Sequence, residues 1–397
     1  MEEKMNFWYR SLPICLLIMI GFNMRSALTS VPPILTDLKT ALELPSWLLG
    51  SLTTIPLLCF ALLSPFVPRL YQHFKLLPVL FAAMAILGLG TWLRIYNFTT
   101  LIVGTLLLGC AIAFLNVLAP TTVAVYYPAS LGKMTSIYTL AMTLSSAATA
   151  GFSALLAKML GWRSLFCWLV LLPLVALLII AALGRIHPEP ATAVVSQPAT
   201  KPKQVASVWH QPLAWALTFF MGLQSLLFYT ILTWLPQILS DQGRSQASAG
   251  LFLGLLQLAS LPMSVIMPNL VGRRTKQAPL IWLIFALFIG GFICLLVSES
   301  IWSQALSCIL LGLGTNAAFT MSMTLFSLKT KTPAQTTAVS GMAQSVGYLL
   351  AATGPFLSGV LYAQLHSWTL VIILLMIIVL LQTLCGLLID RKEQVFD

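Results

Sequence analysis

Twelve apolar runs, at 11–36, 46–69, 76–95, 100–125, 133–158, 163–185, 210–239, 247–271, 278–297, 301–328, 333–362 and 367–389, fill most of the 397 residues. Each is about as long as, or longer than, the roughly 20 residues that carry a helix across a ~30 Å hydrocarbon core. Inside lipid every backbone N–H and C=O needs a partner within the protein. None of the runs has the two-residue alternation of a barrel strand, so all twelve are predicted to be helices. With 59% hydrophobic and 8% charged residues the chain is not a soluble domain.

The formal net charge of +11 could suggest a polyanionic partner, but the basic residues follow topology. If the runs cross in succession, Lys4, Arg10, Arg69, Lys75, Lys133, Arg185, Lys201, Lys203, Arg273, Arg274, Lys276, Lys329, Lys331, Arg391 and Lys392 share the side of the N-terminus. Only Lys39, Arg94, Lys158, Arg163 and Arg244 fall opposite. Fifteen against five is the positive-inside bias, which puts both termini in the cytoplasm and leaves no role for nucleic acid. The seven cysteines lie within apolar runs without C-x-x-C spacing and read as small packing residues. His73, His187, His210 and His366 are scattered, so neither a metal site nor a cofactor is expected. The first run is too long for a cleaved signal peptide. Trp8, Trp47, Trp92, Trp162, Trp209, Trp302 and Trp368 sit near run ends, as an interfacial aromatic belt would.

One polar stretch, rich in Pro, Ala, Thr and Lys, separates the sixth and seventh runs. It divides the chain into 1–186, a linker at 187–208 and 209–397. The halves resemble each other at a constant offset. Pro32-Pro33-Ile34-Leu35-Thr36-Asp37 recurs as Pro236-Gln237-Ile238-Leu239-Ser240-Asp241, a shift of 204 that also takes Gly50 to Gly254, Arg69 to Arg273 and Ala147-Ala148-Thr149 to Ala351-Ala352-Thr353. A shared register argues for a duplicated six-helix unit: two bundles about a pseudo-twofold axis, with a solute site between them near the midplane.

Arg25 falls near the middle of the first run. A guanidinium at that depth costs at least about 2.5–3.5 kcal/mol and persists where it faces protein or water. The ten acidic residues, Glu2, Glu3, Asp37, Glu43, Glu189, Asp241, Glu299, Asp390, Glu393 and Asp397, all lie away from mid-membrane depth. The missing negative charge is therefore expected to come with a substrate. The repeat sets Tyr229 at the position equivalent to Arg25, which predicts that the two face each other. Asn23, Thr29, Asn116, Gln224, Gln257, Asn316, Gln344 and Tyr348 are further polar residues within runs. Some of these would bond across helices, and the others would line the site. Gly354-Pro355 is expected to bend the eleventh helix.

Several stretches together resemble the cyanate permease and 2-nitroimidazole transporter family of the major facilitator superfamily. In the first run these are Asn23-Met24-Arg25, Leu28-Thr29-Ser30-Val31 and Pro33; in the seventh, Gly222-Leu223-Gln224-Ser225, Phe228-Tyr229 and Trp234-Leu235-Pro236; in the eleventh, Ser340 to Ser345, Gly347-Tyr348-Leu349 and Gly354-Pro355. The resemblance implies a twelve-helix facilitator fold, secondary transport of a small solute, and Arg25, Gln224, Tyr229 and Gln344 in or near the site. The chain departs from the family at Ser26, where a proline is usual, and at Pro32, where a glycine is. Of the superfamily's charged loop between the second and third helices, the segment Ser64 to His73 keeps only Arg69.

The sequence thus reads as a monomeric transporter of a small anionic or polar solute in the cytoplasmic membrane, working by alternating access. Arg25 supplies the charge, and Asn23, Thr29, Asn116, Gln224, Tyr229, Gln257, Gln344 and Tyr348 supply polar contacts. Without a membrane carboxylate, facilitated diffusion, exchange or symport of a protonated substrate is expected. A multidrug exporter of lipophilic cations would want a buried Asp or Glu; a nitroheterocycle exporter stays open. An enzyme would need a nucleophile with its base, and a receptor a signalling domain.

Overall fold

The computed structural model describes residues 2–45, 48–63, 66–67, 75–127, 130–186, 208–331, 333–391 and 394–395; the side chains of 2–10, 131–132, 186, 333–334 and 337 are outside that description. Twelve long helices follow in order: α1 (Glu2–Thr29), α2 (Ser51–Leu63), α3 (Leu76–Leu93), α4 (Phe98–Tyr126), α5 (Leu131–Leu160), α6 (Trp162–Ile186), α7 (Pro212–Asp241), α8 (Gln246–Arg273), α9 (Ala278–Val297), α10 (Ile301–Leu328), α11 (Pro333–Leu365) and α12 (Thr369–Arg391). Eleven helical segments are long and apolar enough to cross a membrane; α2 is described over only 13 residues. The linker expected at 187–208 lies, but for Val208, outside the described residues, as does the loop from Pro68 to His73.

One helix end differs from the sequence reading. The first helix stops at Thr29, and Pro32–Ile34 form a 3-10 turn that leads into a short helix, Leu35–Ala41. Consecutive prolines remove two backbone donors, so the run to 36 is not one helix. In α11, by contrast, the helix continues through Pro355 to Leu365. The Pro355 carbonyl accepts the indole N–H of Trp234 at 2.8 Å, which ties α11 to α7 at that level.

Packing follows the repeat. In the first half α1 lies against α4, α5 and α6, α2 against α4, and α3 against α4 and α6. The second half repeats this with α7 against α10, α11 and α12, α8 against α10, and α9 against α10 and α12. The halves meet through two pairs that the repeat makes equivalent, α5 with α8 and α2 with α11.

These pairs are tightest at the end away from the termini. A Cβ on Gly254 would stand 3.0 Å from the Ala147 carbonyl and 3.1 Å from Gly151 Cα. On Gly250 it would stand 2.9 Å from the Ala150 carbonyl, and on Gly50 it would press on the Pro355 carbonyl. Only glycine permits backbones so close. Two cross-bundle hydrogen bonds lie at the same end, Thr54 Oγ1 to the Ala352 carbonyl at 2.9 Å and Thr36 Oγ1 to Gln237 Oε1 at 3.0 Å. The bundles are therefore closed together there.

The aromatic belt is only partly as expected. Trp92, Trp209 and Trp302 are exposed, whereas Trp162 and Trp368 are buried. Trp368 stacks on Tyr362 at 4.2 Å and donates its indole N–H to Asp241 Oδ2 at 2.8 Å, so its polar edge is satisfied by protein.

Candidate functional site

Arg25 sits one turn before the end of α1, half-buried, on the side turned to the second bundle. Its Cζ lies 5.4 Å from the Phe228 ring and 5.8 Å from the Tyr229 ring, both on α7. Nη1 is buried and has no hydrogen-bond partner, and among the described residues no carboxylate stands against the guanidinium. The aromatic wall continues behind it. Phe228 and Tyr229 meet edge to face at 5.0 Å, Tyr229 meets Tyr348 of α11 at 6.5 Å, and Tyr348 meets Phe60 of α2 at 5.8 Å. One cation from the first bundle thus faces rings of the second, and the wall that they begin ends on Phe60 of the first.

Ring faces carry partial negative charge, so they stabilise a cation by about 0.5–2 kcal/mol. They do not satisfy its N–H donors. An unpaired donor held from water costs a further ~1–3 kcal/mol, and an incoming anion would recover it through a charge-assisted hydrogen bond.

The other polar residues divide by what they touch. Arg25, Tyr229 and Tyr348 come together, and Gln344 lies one turn before Tyr348, with its amide on Ser340 Oγ at 3.0 Å. Asn116 is half-buried on α4. Gln257 is buried, and its Nε2 has no partner. Three of the expected residues are instead occupied by protein. Asn23 donates to the Met19 carbonyl of its own helix at 2.8 Å, although its Oδ1 is left bare. Thr29 Oγ1 bonds the Arg25 carbonyl at 2.9 Å and Thr149 Oγ1 at 2.7 Å, pinning α1 to α5. Gln224 donates to the Thr315 carbonyl of α10 at 3.2 Å and accepts from Ser225 at 3.1 Å. Asn316 likewise bonds the Ser260 carbonyl at 2.8 Å and Ser264 Oγ at 3.0 Å, joining α10 to α8.

Sequence reasoning passed over three side chains. Phe228 and Phe60 are apolar and indistinguishable by pattern from packing residues; the pairing of Phe228 with Tyr229 was the only signal. Arg94 was counted only as a loop charge. It caps α3 and is 1% exposed, with Nη1 donating to the Ala27 carbonyl at 2.8 Å and Cζ 4.8 Å from the Phe166 ring. A cation at the C-terminal carbonyls of α1 is favoured by the helix dipole and fixes the helix that carries Arg25.

Residues 14–352 match the Major Facilitator Superfamily. Over 399 aligned residues the chain is 36% identical to an uncharacterized transporter, YycB, of Bacillus subtilis (strain 168), covering 100% of this chain and 96% of that one. It is 32% identical to the 2-nitroimidazole transporter of Escherichia coli (strain K12), over 96% and 95% of the two chains. It is 27% identical to the cyanate transport protein CynX of the same organism, over 88% and 89%. The chain belongs to the Major Facilitator Superfamily, in the cyanate permease and 2-nitroimidazole transporter family.

The fold agrees with solved facilitators. A bacterial homologue of the human lysosomal transporter Spinster superposes with a TM-score of 0.78 over 97% of this chain and 98% of the other, at 14% identity. The protein is accordingly a multi-pass membrane transporter and not an enzyme, as the sequence reading held.

Proposed function

We propose that this facilitator carries a small anionic or strongly polar solute across the bacterial cytoplasmic membrane by alternating access, with Arg25 as its charged handle. The observation that carries the reading is the bare Nη1 of Arg25, buried at the junction of the two bundles against Phe228 and Tyr229. A substrate anion completes that guanidinium, while Tyr229 and Tyr348 offer hydroxyls to orient it, with Asn116, Gln257 and Gln344 as further polar contacts. Asn23, Thr29 and Gln224 support the site through the helices they hold. The close contacts at Gly50, Gly250 and Gly254 shut the end away from the termini. With the termini in the cytoplasm, this is a state closed to the outside.

Measuring thermal stability of the purified protein against cyanate, benzoate and 2-nitroimidazole tests the reading, because a ligand that binds the native form raises its apparent stability. At least one of the anions raises the midpoint of the native protein, loses that effect in Arg25→Ala and keeps part of it in Arg25→Lys. Equal stabilisation of Arg25→Ala by the anions overturns the assignment. The wall of Phe60, Phe228, Tyr229 and Tyr348 favours a second reading, a carrier of neutral nitroheterocycles that stack on the rings. Stabilisation by 2-nitroimidazole that survives Arg25→Ala would select it.

A further inference from the structure

Two cysteines outside the solute site stand together. Cys110 of α4 directs its thiol at Cys59 of α2, Sγ to Sγ 3.8 Å, and Cys59 in turn donates to the Leu106 carbonyl at 3.7 Å. Both thiols are free, and Cys59 is buried while Cys110 is partly open. What opens Cys110 is an apolar groove of about 300 Å³ between α3 and α4, walled by Pro78, Val79, Ala82, Ile86, Cys110 and Phe114. Pro78, Ala82 and Ile86 on its rim are exposed, on a face that hydrocarbon must cover in a membrane. A polar oxidant from water has no counterpart in such a lining, whereas an apolar molecule dissolved in the bilayer does.

We propose that Cys59 and Cys110 form a thiol-modification site for lipid-soluble organic hydroperoxides that enter through this groove. Cys110 attacks the outer peroxide oxygen; the O–O bond breaks, the thiol proton goes to the departing alkoxide, and the products are a Cys110 sulfenic acid and an alcohol. Cys59 then attacks the sulfenic sulfur. The S–O bond breaks, water leaves with the Cys59 proton, and an α2–α4 disulfide remains. Closing from 3.8 Å to the ~2.05 Å of a disulfide needs under 2 Å of combined movement. Phe60, next to Cys59, is the α2 member of the aromatic wall, so closure acts beside the solute site. The inference does not depend on which solute is carried.

The test exposes purified protein in lipid nanodiscs to cumene hydroperoxide or to hydrogen peroxide at equal concentration, followed by peptide mass spectrometry. Cumene hydroperoxide should give the linked Cys59–Cys110 peptide at least fivefold faster than hydrogen peroxide does. Exposed Cys15 and Cys167 should give no linked peptide with either oxidant. In Cys59→Ser the Cys110 sulfenic acid persists and is trapped by dimedone, and in Ala82→Phe, which fills the groove, cumene hydroperoxide loses its advantage. Absence of the linked peptide in the native protein, or its formation at equal rates with both oxidants, overturns the proposal.

Discussion

A methyl group at Gly254 tests whether the closed end is one of two states. In Gly254→Ala the new Cβ would stand 3.0 Å from the Ala147 carbonyl oxygen and 3.1 Å from Gly151 Cα. Both are backbone atoms of α5 within a helix, so neither can swing aside as a side chain would. Overpacking of this kind costs about 1–3 kcal/mol. Alanine also gains roughly 0.8–1 kcal/mol of helix propensity over glycine, but α8 stays helical whether the bundles are closed or apart, so that gain leaves the balance between the states unchanged. The clash alone moves the balance, by a factor of about 5–150. Spin labels at Lys158 on α5 and Ser245 before α8, both exposed and on the wall of a ~530 Å³ recess between the halves, report the opening. With exposed Cys15 and Cys167 replaced by serine, the Lys158–Ser245 distance distribution should shift to a longer component in Gly254→Ala. A distribution that matches the parent would mean that α5 and α8 do not part, and the closed-end argument would fall.

Arg25→Ala should weaken anion binding about 10- to 150-fold, the range expected when one charge-assisted hydrogen bond of ~1.5–3 kcal/mol is lost, while Arg25→Lys loses less; equilibrium binding of benzoate or cyanate checks it. Arg94→Ala strips the Ala27 carbonyl of its donor and leaves a void against Phe166, so the protein should lose about 1–3 kcal/mol of stability in thermal or denaturant unfolding. A midpoint equal to the native protein's would show that the buried guanidinium contributes nothing. Thr29→Val removes the hydroxyl contact with Thr149 across the helices and the local one to the Arg25 carbonyl, so a small loss near ~0.6 kcal/mol from the interhelical bond is expected, with anion affinity within twofold of native.

The fold was legible because lipid leaves the backbone few choices. Run length alone separates twelve helices, and the 204-residue register between Pro32 and Pro236 pairs the halves before any coordinate is known. What the run lengths could not carry was where a helix stops inside an apolar segment. Hydropathy is blind to the missing donors of Pro32 and Pro33, which end α1 at Thr29.

The candidate site was legible only where chemistry is intrinsically expensive. A charge at Arg25 must be accounted for, and the duplicated register pointed to Tyr229, whose ring does lie 5.8 Å from the guanidinium. Neutral polar residues give no such signal. Asn23, Thr29 and Gln224 can each turn to a carbonyl or hydroxyl on their own or a neighbouring helix, and a sequence does not say which way an amide points. Arg94 marks the same limit from the other side. At the end of α3 it has the sequence signature of a solvated loop charge, but it folds under the last turn of α1, where the Ala27 carbonyl and the Phe166 ring make burial tolerable. Two guanidiniums on one bundle are thus set apart by what surrounds them. Arg94 is sealed inside its own bundle, with Nη1 on the Ala27 carbonyl and Nε bare, while the half-buried Arg25 has its bare Nη1 beside rings of the other half. That difference in surroundings, rather than depth in the run, is why the proposed site is built on Arg25 and not on Arg94.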